Sequence, residues 1–167
     1  MTDSDVVDAL GRGARFEELD PEPRAELADH LRRETVVPGE PIWSPGEAGT
    51  GAYLLLDGRV EITWRSQPEG RDSVQYDSAG EWFGLPYVVD EWEHESAASP
   101  RERTELAVLD RETFLELFDQ GHPGAYAALE RAAVELVDEV RDANRRLADV
   151  FGRPAETLQM LRRRSRD

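Results

Sequence analysis

The sequence predicts a mainly β fold, a sandwich, roll or barrel, with helices at both ends of the chain. Short apolar runs separated by turn dipeptides occupy the middle of the chain, roughly residues 34 to 110. Apolar residues at helical spacing come before and after this stretch, and the last helical stretch keeps a heptad spacing. A chain of 167 residues is expected to form one domain with at most a small appendage.

Helical spacing opens the chain. Val6, Val7 and Leu10 predict a first helix, and residues 1–15 form the predicted helical lead. A second helix is predicted to follow Asp20, with the Asp20 side chain as N-cap and Pro21 at the first helical position.

Short strands are predicted between residues 34 and 110, where apolar and β-branched residues alternate with turn signals. The Asp57-Gly58 dipeptide predicts a tight hairpin between the strands on either side of it, because both central residues of such a turn have positive φ. The predicted strands include 36–37, 42–43, 52–56, 60–64, 73–76, a stretch near Ala97, and 106–109.

After Asp110, a short helix is predicted through Leu117 and Phe118, and it ends at residues 121–124. Residues 125–151 then form a predicted long dimerisation helix, which ends at Gly152 and Pro154. The alternative is that this helix packs on its own β body. The predicted dimer seam has apolar residues alternately three and four positions apart: Tyr126, Leu129, Ala133, Leu136, Val140, Ala143, Leu147 and Val150.

The composition is acidic: 36 Asp and Glu against 20 Arg, no Lys, and a net charge of −16. Such a charge opposes general nucleic-acid binding, which requires cations that neutralise phosphates. The acidity fits either a high-salt habitat or a base-composition bias that replaces Lys by Arg. The Arg-rich tail, residues 152–167, is interpreted as a solubilising terminus.

The chain has no cysteine, so disulfides, thiolate metal sites and a cysteine nucleophile are excluded, and a cytoplasmic location is expected. The acidic N-terminus does not resemble a signal peptide, and no stretch of 18 apolar residues predicts a membrane span. The three histidines, His30, His94 and His122, lie in no nucleophile, P-loop or metalloprotease motif. No catalytic residue, and therefore no enzyme activity, is predicted.

Several motifs follow one another in the order of a known family. Residues 37–46 contain Pro38-Gly39 and Pro45-Gly46, residues 52–62 surround Gly58, residues 80–84 read Gly-Glu-Trp-Phe-Gly, and residues 105–114 lead from a strand into a helix. The chain from about residue 16 to 150 resembles the cyclic nucleotide-binding domain of the catabolite-activator superfamily, without its helix-turn-helix domain. The resemblance implies a double-stranded β-helix or jelly roll over residues 16–124, followed by a long C-terminal helix. The 17 residues after Val150 are too few to place a recognition helix in a groove, so no DNA binding by this chain is expected.

In the resembling family, backbone N–H groups and an arginine hold a cyclic phosphate, and a glutamate binds the ribose 2′-hydroxyl. Here Leu85 stands in place of the glutamate, and His94 or Glu95 in place of the arginine. Pro100-Arg101 has the family's dipeptide but lies closer to Glu105 than the family's spacing. A degenerate ligand pocket is therefore expected, with candidate residues Phe83, Gly84, Leu85, His94, Glu95, Ser96 and Arg101.

An acidic stretch, Asp90 to Glu95, coincides with this cassette and opposes a phosphate. Its carboxylates and His94 could suit a metal chemically, but alternate residues of an extended segment point to opposite faces, so a solvated acidic loop is the interpretation and no metal is predicted. Trp82 and Trp92 are interpreted as core or rim aromatics, or as a lid over an apolar pocket.

The sequence thus favours a non-enzymatic regulatory module without a cofactor, a homodimer that acts through protein partners. One alternative is a genuine sensor of a cyclic nucleotide or another small ligand, with Arg101 or His94 as the substitute cation. Another is a scaffold whose acidic surface meets a basic partner.

Overall fold

The computed structural model describes residues 3–66 and 70–151. Contacts divide the chain into two units, the first ending at Ala132 and the second beginning at Ala133. The elements, in chain order, are α1 (Asp3–Leu10), α2 (Pro21–His30), β1 (Arg32–Val36), β2 (Gly51–Asp57), β3 (Val60–Ser66), β4 (Gly70–Tyr76), β5 (Trp82–Phe83), α3 (Pro86–Val89), β6 (Ala97–Pro100), β7 (Thr104–Asp110), α4 (Arg111–Asp119) and α5 (Pro123–Phe151).

The described strands form two antiparallel sheets, which confirms the predicted mainly β class with flanking helices. The first sheet has the order β1-β7-β2-β5, and the second has the order β4-β3-β6. In the first sheet, β7 is central to the register, since Thr35 lies opposite Glu105 on one side and Tyr53 lies opposite Val108 on the other.

The first sheet is covered on both faces. Tyr53 and Leu55 of β2 belong to a cluster between the sheets, here called the interior cluster, which also holds Val60 and Ile62 of the second sheet. The alternate residues of β2, such as Leu54, belong to a second cluster on the helical side. Since both faces are buried, β2 reads as a continuous apolar run rather than as an alternating strand.

The helical-side cluster joins α1, α2, α4 and the start of α5 to the first sheet. Leu10, Leu27 and Leu109 are fully buried there, and Leu117 and Ala128 complete the contact. Truncating one of these leucines to alanine is expected to cost about 2–5 kcal/mol, since it removes apolar contact and leaves a cavity.

The hairpin predicted at Asp57-Gly58 is wrong. β2 pairs with β5 and β7, whereas β3 pairs with β4 and β6, so the dipeptide is a corner between the two sheets. Gly58 has φ +99°, while Asp57 is not among the described residues with positive φ. A Cβ on Gly58 would lie 2.6 Å from Thr104 Oγ1 and 2.7 Å from the Arg103 carbonyl oxygen, so glycine is required by close approach as well as by φ.

Two smaller predictions also need correction. Residues 42–43 do not form a strand of either sheet, and Trp43 makes an isolated β-bridge to Ala98 instead. Asp20 does precede α2, and Pro21 is its first residue, but the Asp20 side chain makes no capping hydrogen bond. The first turn of α2 is held instead by backbone contacts such as Arg24 N–H to the Asp20 carbonyl, 3.1 Å.

The predicted long C-terminal helix is present as α5. Within the first unit its small residues Ala125, Ala128 and Ala132 are fully buried. Within the second unit Val140 is 59% exposed and Leu147 is 53% exposed. The Val150 side chain, the predicted stop at Gly152 and Pro154, and the Arg-rich tail lie outside the described residues. Among the described helices, none is both long and apolar enough to cross a membrane.

Candidate functional site

The predicted ligand pocket lies on the cassette segment, defined here as residues 80–101. It begins with β5, where Phe83 lies opposite Tyr53 of β2. Gly84 follows with φ +77°, and a Cβ there would lie 3.3 Å from the Gly51 carbonyl oxygen and 3.6 Å from the Trp43 ring. The chain therefore turns tightly against β2 at the point where the resembling family begins its phosphate site.

A one-turn helix, α3, comes next and ends at Val89, and Asp90, the first residue of the acidic stretch, has extended backbone angles. Pro86 begins this helix, and Pro86 and Val88 are buried. Leu85, which stands before it, is fully buried in the helical-side cluster. The helix is thus held by apolar contacts with the core.

Aromatic rings fill the space beside α3. The His94 ring stacks on Trp43, with centroids 4.3 Å apart, and its other neighbour is Tyr87, 3.9 Å away. Trp43 also contacts Tyr53 and Phe83, at 5.6 and 5.8 Å. These five residues, Trp43, Tyr53, Phe83, Tyr87 and His94, are called the aromatic cluster below.

Backbone hydrogen bonds fix the two loops that carry Trp43 and His94. Gly46 N–H donates to the His94 carbonyl oxygen, and His94 N–H donates to that of Glu47, both at 2.8 Å. Gly49 N–H donates to the Trp92 carbonyl oxygen at 2.8 Å. Because the loops are joined on both sides of His94, its ring is held in place by the backbone as well as by stacking.

His94 is 3% exposed, and its Nδ1 has no hydrogen-bond partner among the described residues. Burial lowers the pKa of His94 below its usual 6.5, since a charged imidazole would lose its hydration, and the nearby Glu47 carboxylate opposes this in part. The imidazole is therefore neutral at pH 7. Beside it, the Trp43 indole N–H donates to Ser96 Oγ at 3.3 Å.

Residues 90–95 carry four acidic side chains, and none of them belongs to the aromatic cluster. Asp90, Glu91, Glu93 and Glu95 are all exposed, which agrees with a solvated acidic loop. Glu91 pairs with Arg111 at the start of α4, 2.5 Å between Oε1 and a terminal guanidinium nitrogen. Where the structure describes the chain, no three His, Asp or Glu side chains are grouped so that they could hold a metal ion.

A family model describes this arrangement. The model of the cyclic nucleotide-binding domain matches residues 33–121, from β1 through α4. The chain belongs to the cyclic nucleotide-binding domain family. The resemblance drawn from the motifs is thus confirmed.

Curated relatives of this cyclic nucleotide-binding domain include regulators. The cyclic AMP receptor protein of Thermus thermophilus is 32% identical over 103 residues, which are 61% of this chain and 47% of that protein. The CRP-like cAMP-activated global transcriptional regulator of Mycobacterium tuberculosis is 26% identical over 161 residues, 93% of this chain and 70% of that protein. The chain therefore spans about half of the first relative.

Solved structures agree on the fold. The catabolite activator protein of Thermus thermophilus superposes with a TM-score of 0.68 at 26% identity, over 83% of this chain and 62% of that one. A cyclic nucleotide-binding domain from Methylobacillus flagellatus superposes with a TM-score of 0.69 at 16% identity, over 84% of this chain and 81% of that one. The second likeness shows the fold alone.

Within this domain, the structure brings together part of the predicted pocket. Phe83, Gly84, His94 and Ser96 all lie against Trp43. Two other candidates point elsewhere: Leu85 is buried on the helical side of the first sheet, and Glu95 is exposed.

Arg101 is also placed apart from the aromatic cluster among the described contacts. The Arg101 guanidinium pairs with Glu61, and the Arg101 backbone N–H donates to the Arg59 carbonyl oxygen at 2.8 Å. Glu61 alternates along β3 with Val60 and Ile62, which face the interior cluster, so Glu61 lies on the outer face. No contact among the described residues supports Arg101 as a substitute cation in the ligand pocket.

Sequence reasoning did not assign Trp43, Tyr53 and Tyr87 to the site. Their ring contacts join the loop before β2, β2 itself and α3, which are distant in sequence. The available signal was composition, since aromatic residues recur in each of the segments that the family motifs delimit.

Proposed function

We propose that this chain is a non-enzymatic regulatory module in which the phosphate cassette of the cyclic nucleotide-binding domain no longer holds a cyclic nucleotide. Its output is contact with proteins, a second copy of itself included. The domain family and the names of the regulatory relatives support the regulatory role. The aromatic cluster carries the rest of the proposal.

Side chains of the domain occupy the space beside α3. The buried His94 ring lies between Trp43 and Tyr87, at 4.3 and 3.9 Å. The Tyr87 ring in turn packs on the backbone of Gly49, where even a Cβ would lie 2.2 Å from the ring. A nucleotide phosphate could enter only if these rings moved, and the stacking contacts would then be lost.

The charge of the segment also opposes a phosphate. Residues 84–98 contain four carboxylates and no arginine. Two unit charges 4 Å apart repel by about 1 kcal/mol in water and by about 4 kcal/mol at the effective dielectric constant near a protein surface. The Arg111 guanidinium pairs with Glu91 and solvent screens the exposed carboxylates, so the stronger obstacle is that residues 84–98 supply no guanidinium to a cyclic phosphate.

The apolar face of α5 supports dimerisation. Tyr126, Val140 and Leu147 of the predicted seam are 46%, 59% and 53% exposed in the single chain. Val134 and Val137, which lie beside that seam, are exposed as well. A second copy would bury such a stripe from both sides, as in a coiled coil.

Calorimetry with cyclic AMP and cyclic GMP tests the cassette. We expect no binding heat from either ligand, while the Thermus cyclic AMP receptor protein serves as the control that the cyclic AMP titration detects binding. Low-micromolar binding of either nucleotide would overturn the degenerate cassette. It would favour a genuine cyclic-nucleotide sensor, the function named for the curated relatives.

If a cyclic nucleotide does bind, a substitution of Arg101 tests whether this arginine holds the phosphate. A substitute cation would lose its effect in Arg101→Ala, whereas Arg103→Ala provides a matched control, since Arg103 pairs with Glu105. Equal affinity in both variants would exclude Arg101 as the phosphate partner.

A further inference from the structure

A cleft of about 230 Å³ opens between the turn after α1, the turn between β4 and β5, and α5. Trp82 lines it and belongs to the helical-side cluster, whereas the next residue, Phe83, belongs to the interior cluster. Successive strand residues point to opposite faces of a sheet. Trp82 and Phe83 therefore lie on opposite faces of the first sheet, although Tyr76, which also lines the cleft, packs on Phe83 with ring centroids 5.2 Å apart.

The charge of the described cleft lining is positive, although the whole chain carries −16. Arg12 and Arg131 contribute two guanidinium groups. Within the described residues, the Arg12 side chain makes no hydrogen bond and no ion pair. The acidic residue of the lining is Glu81, whose Oε2 accepts the N–H groups of Asp77 and Ser78, both at 2.9 Å. The Glu81 carboxylate thus holds the turn.

A buried donor also lacks an acceptor at this cleft. Trp82 is 4% exposed, and its indole Nε1–H has no hydrogen-bond partner among the described residues. An unpaired buried donor costs about 1–3 kcal/mol. The nitrogen is covered in the structure, so a ligand oxygen would satisfy this N–H once the Trp82 ring or the adjoining turn moved to uncover it.

The walls of the cleft are held without a ligand. Trp82 stacks on Phe16, with centroids 4.8 Å apart and planes at 21°. The two turns are also in close contact, because a Cβ on Gly13 would lie 2.9 Å from the Gly80 carbonyl oxygen, and Gly80 itself has φ +100°. The cleft walls are thus ordered before a ligand binds, which lowers the entropy cost of binding, whereas the covered Trp82 N–H must first be uncovered.

The donors define the chemistry of the ligand. Guanidinium groups pair with phosphate oxygens through two parallel hydrogen bonds, and a phosphate monoester has enough acceptors for two guanidinium groups and an indole N–H together. The cleft is smaller than the roughly 300–1,000 Å³ that is usual for drug-sized ligands, so the ligand is compact. We propose that this cleft binds a small phosphate-bearing metabolite through Arg12, Arg131 and Trp82.

Nuclear magnetic resonance can follow the Trp82 indole N–H directly in the full chain. Inorganic phosphate is the probe, titrated at constant ionic strength against sodium chloride, and Trp82→Phe assigns the signal. We expect the Trp82 indole resonance to shift saturably with phosphate, while those of Trp43, Trp64 and Trp92 stay in place. Arg12→Ala and Arg131→Ala should each weaken the binding about tenfold or more, the loss of one charge-assisted partner.

Arg15→Ala is the matched control, because Arg15 is a neighbouring exposed arginine that pairs with Glu18 and Glu130 and does not line the cleft. Its phosphate affinity should equal that of the unaltered chain. A shift that does not saturate, an equal shift with chloride, or unchanged affinity in Arg12→Ala and Arg131→Ala would overturn the site. None of these results depends on whether the cassette segment binds a cyclic nucleotide.

Discussion

His94 and Trp43 lie face to face, with ring centroids 4.3 Å apart and planes only 9° from parallel. Fifty-one positions separate the two residues in the chain, and each is fixed in its loop by backbone hydrogen bonds, such as Ala98 N–H to the Trp43 carbonyl oxygen at 3.1 Å. The contact places a neutral imidazole where the family's resemblance implied a cation. It therefore links the fold of the loops to the ligand that the domain can accept.

The burial of His94 predicts a pH-dependent stability. Its pKa is lowered in the folded protein, so as the pH falls the unfolded chain takes up the proton first. The stability that neutral His94 contributes is complete above its unfolded pKa of about 6.5 and is lost as the pH falls through the lower, folded pKa. Urea unfolding between about pH 7.5 and about pH 5 should show the protein losing more free energy of unfolding than His94→Phe, which keeps an aromatic ring.

His30→Gln is the control for this measurement, since His30 is exposed at the end of α2. It should lose stability with falling pH as the unaltered protein does. The explanation would be wrong if His94→Phe showed the same pH dependence as the unaltered protein.

The exposed face of α5 predicts a dimer that charge can dissociate. Val140→Asp together with Leu147→Asp places carboxylates on two exposed positions of the seam, so the single chain should still fold. Light scattering should report a dimer for the unaltered protein and a monomer for this double variant. Ala148→Asp, at an exposed position outside the seam, adds the same kind of charge and should remain dimeric. A double variant that stays dimeric would show that α5 does not form the interface.

Gly39 and Gly58 allow backbone strain to be separated from steric overlap. Their φ angles are nearly equal, +97° and +99°, but a Cβ on Gly39 meets nothing within 4 Å, whereas one on Gly58 overlaps Thr104 and the Arg103 carbonyl oxygen. Gly39→Ala should cost about 1–3 kcal/mol of unfolding free energy from φ alone. Gly58→Ala should cost about 1–3 kcal/mol more, because the corner between the sheets must move. Equal losses in chemical denaturation would argue against the close approach at Gly58.

Local patterns predicted most of the elements but not all of their partners. The apolar run at 52–56 and the helical spacing at 113–118 correspond to β2 and α4. The Asp57-Gly58 dipeptide has the composition of a hairpin turn, yet it joins strands of different sheets. A turn dipeptide indicates which backbone angles are favourable at that point of the chain. The sheet that a strand joins depends instead on the residues that its buried face packs against.

For the candidate site, the family motifs located the segment but not its interior. Phe83, Gly84, His94 and Ser96 were expected together and do surround Trp43. Arg101, the substitute cation of the alternative sensor hypothesis, directly follows β6 and pairs with Glu61 on the outer face of the second sheet. A side chain's ion-pair partner is set by the strand beside it, which spacing along the chain does not specify.

The sequence by itself determined the type and order of most elements, the apolar stripe of the last helix, and the four carboxylates of the cassette segment, because each of these is a property of neighbouring residues. Tertiary structure alone decided that His94 fills the space between Trp43 and Tyr87, and that Arg12, Trp82 and Arg131 meet at one cleft. Those contacts join residues far apart in the chain. Those contacts form when the two sheets and the helices pack together and exclude water. The spacing of apolar residues along the chain predicts which face of an element is buried, but it does not predict which residues pack against that face.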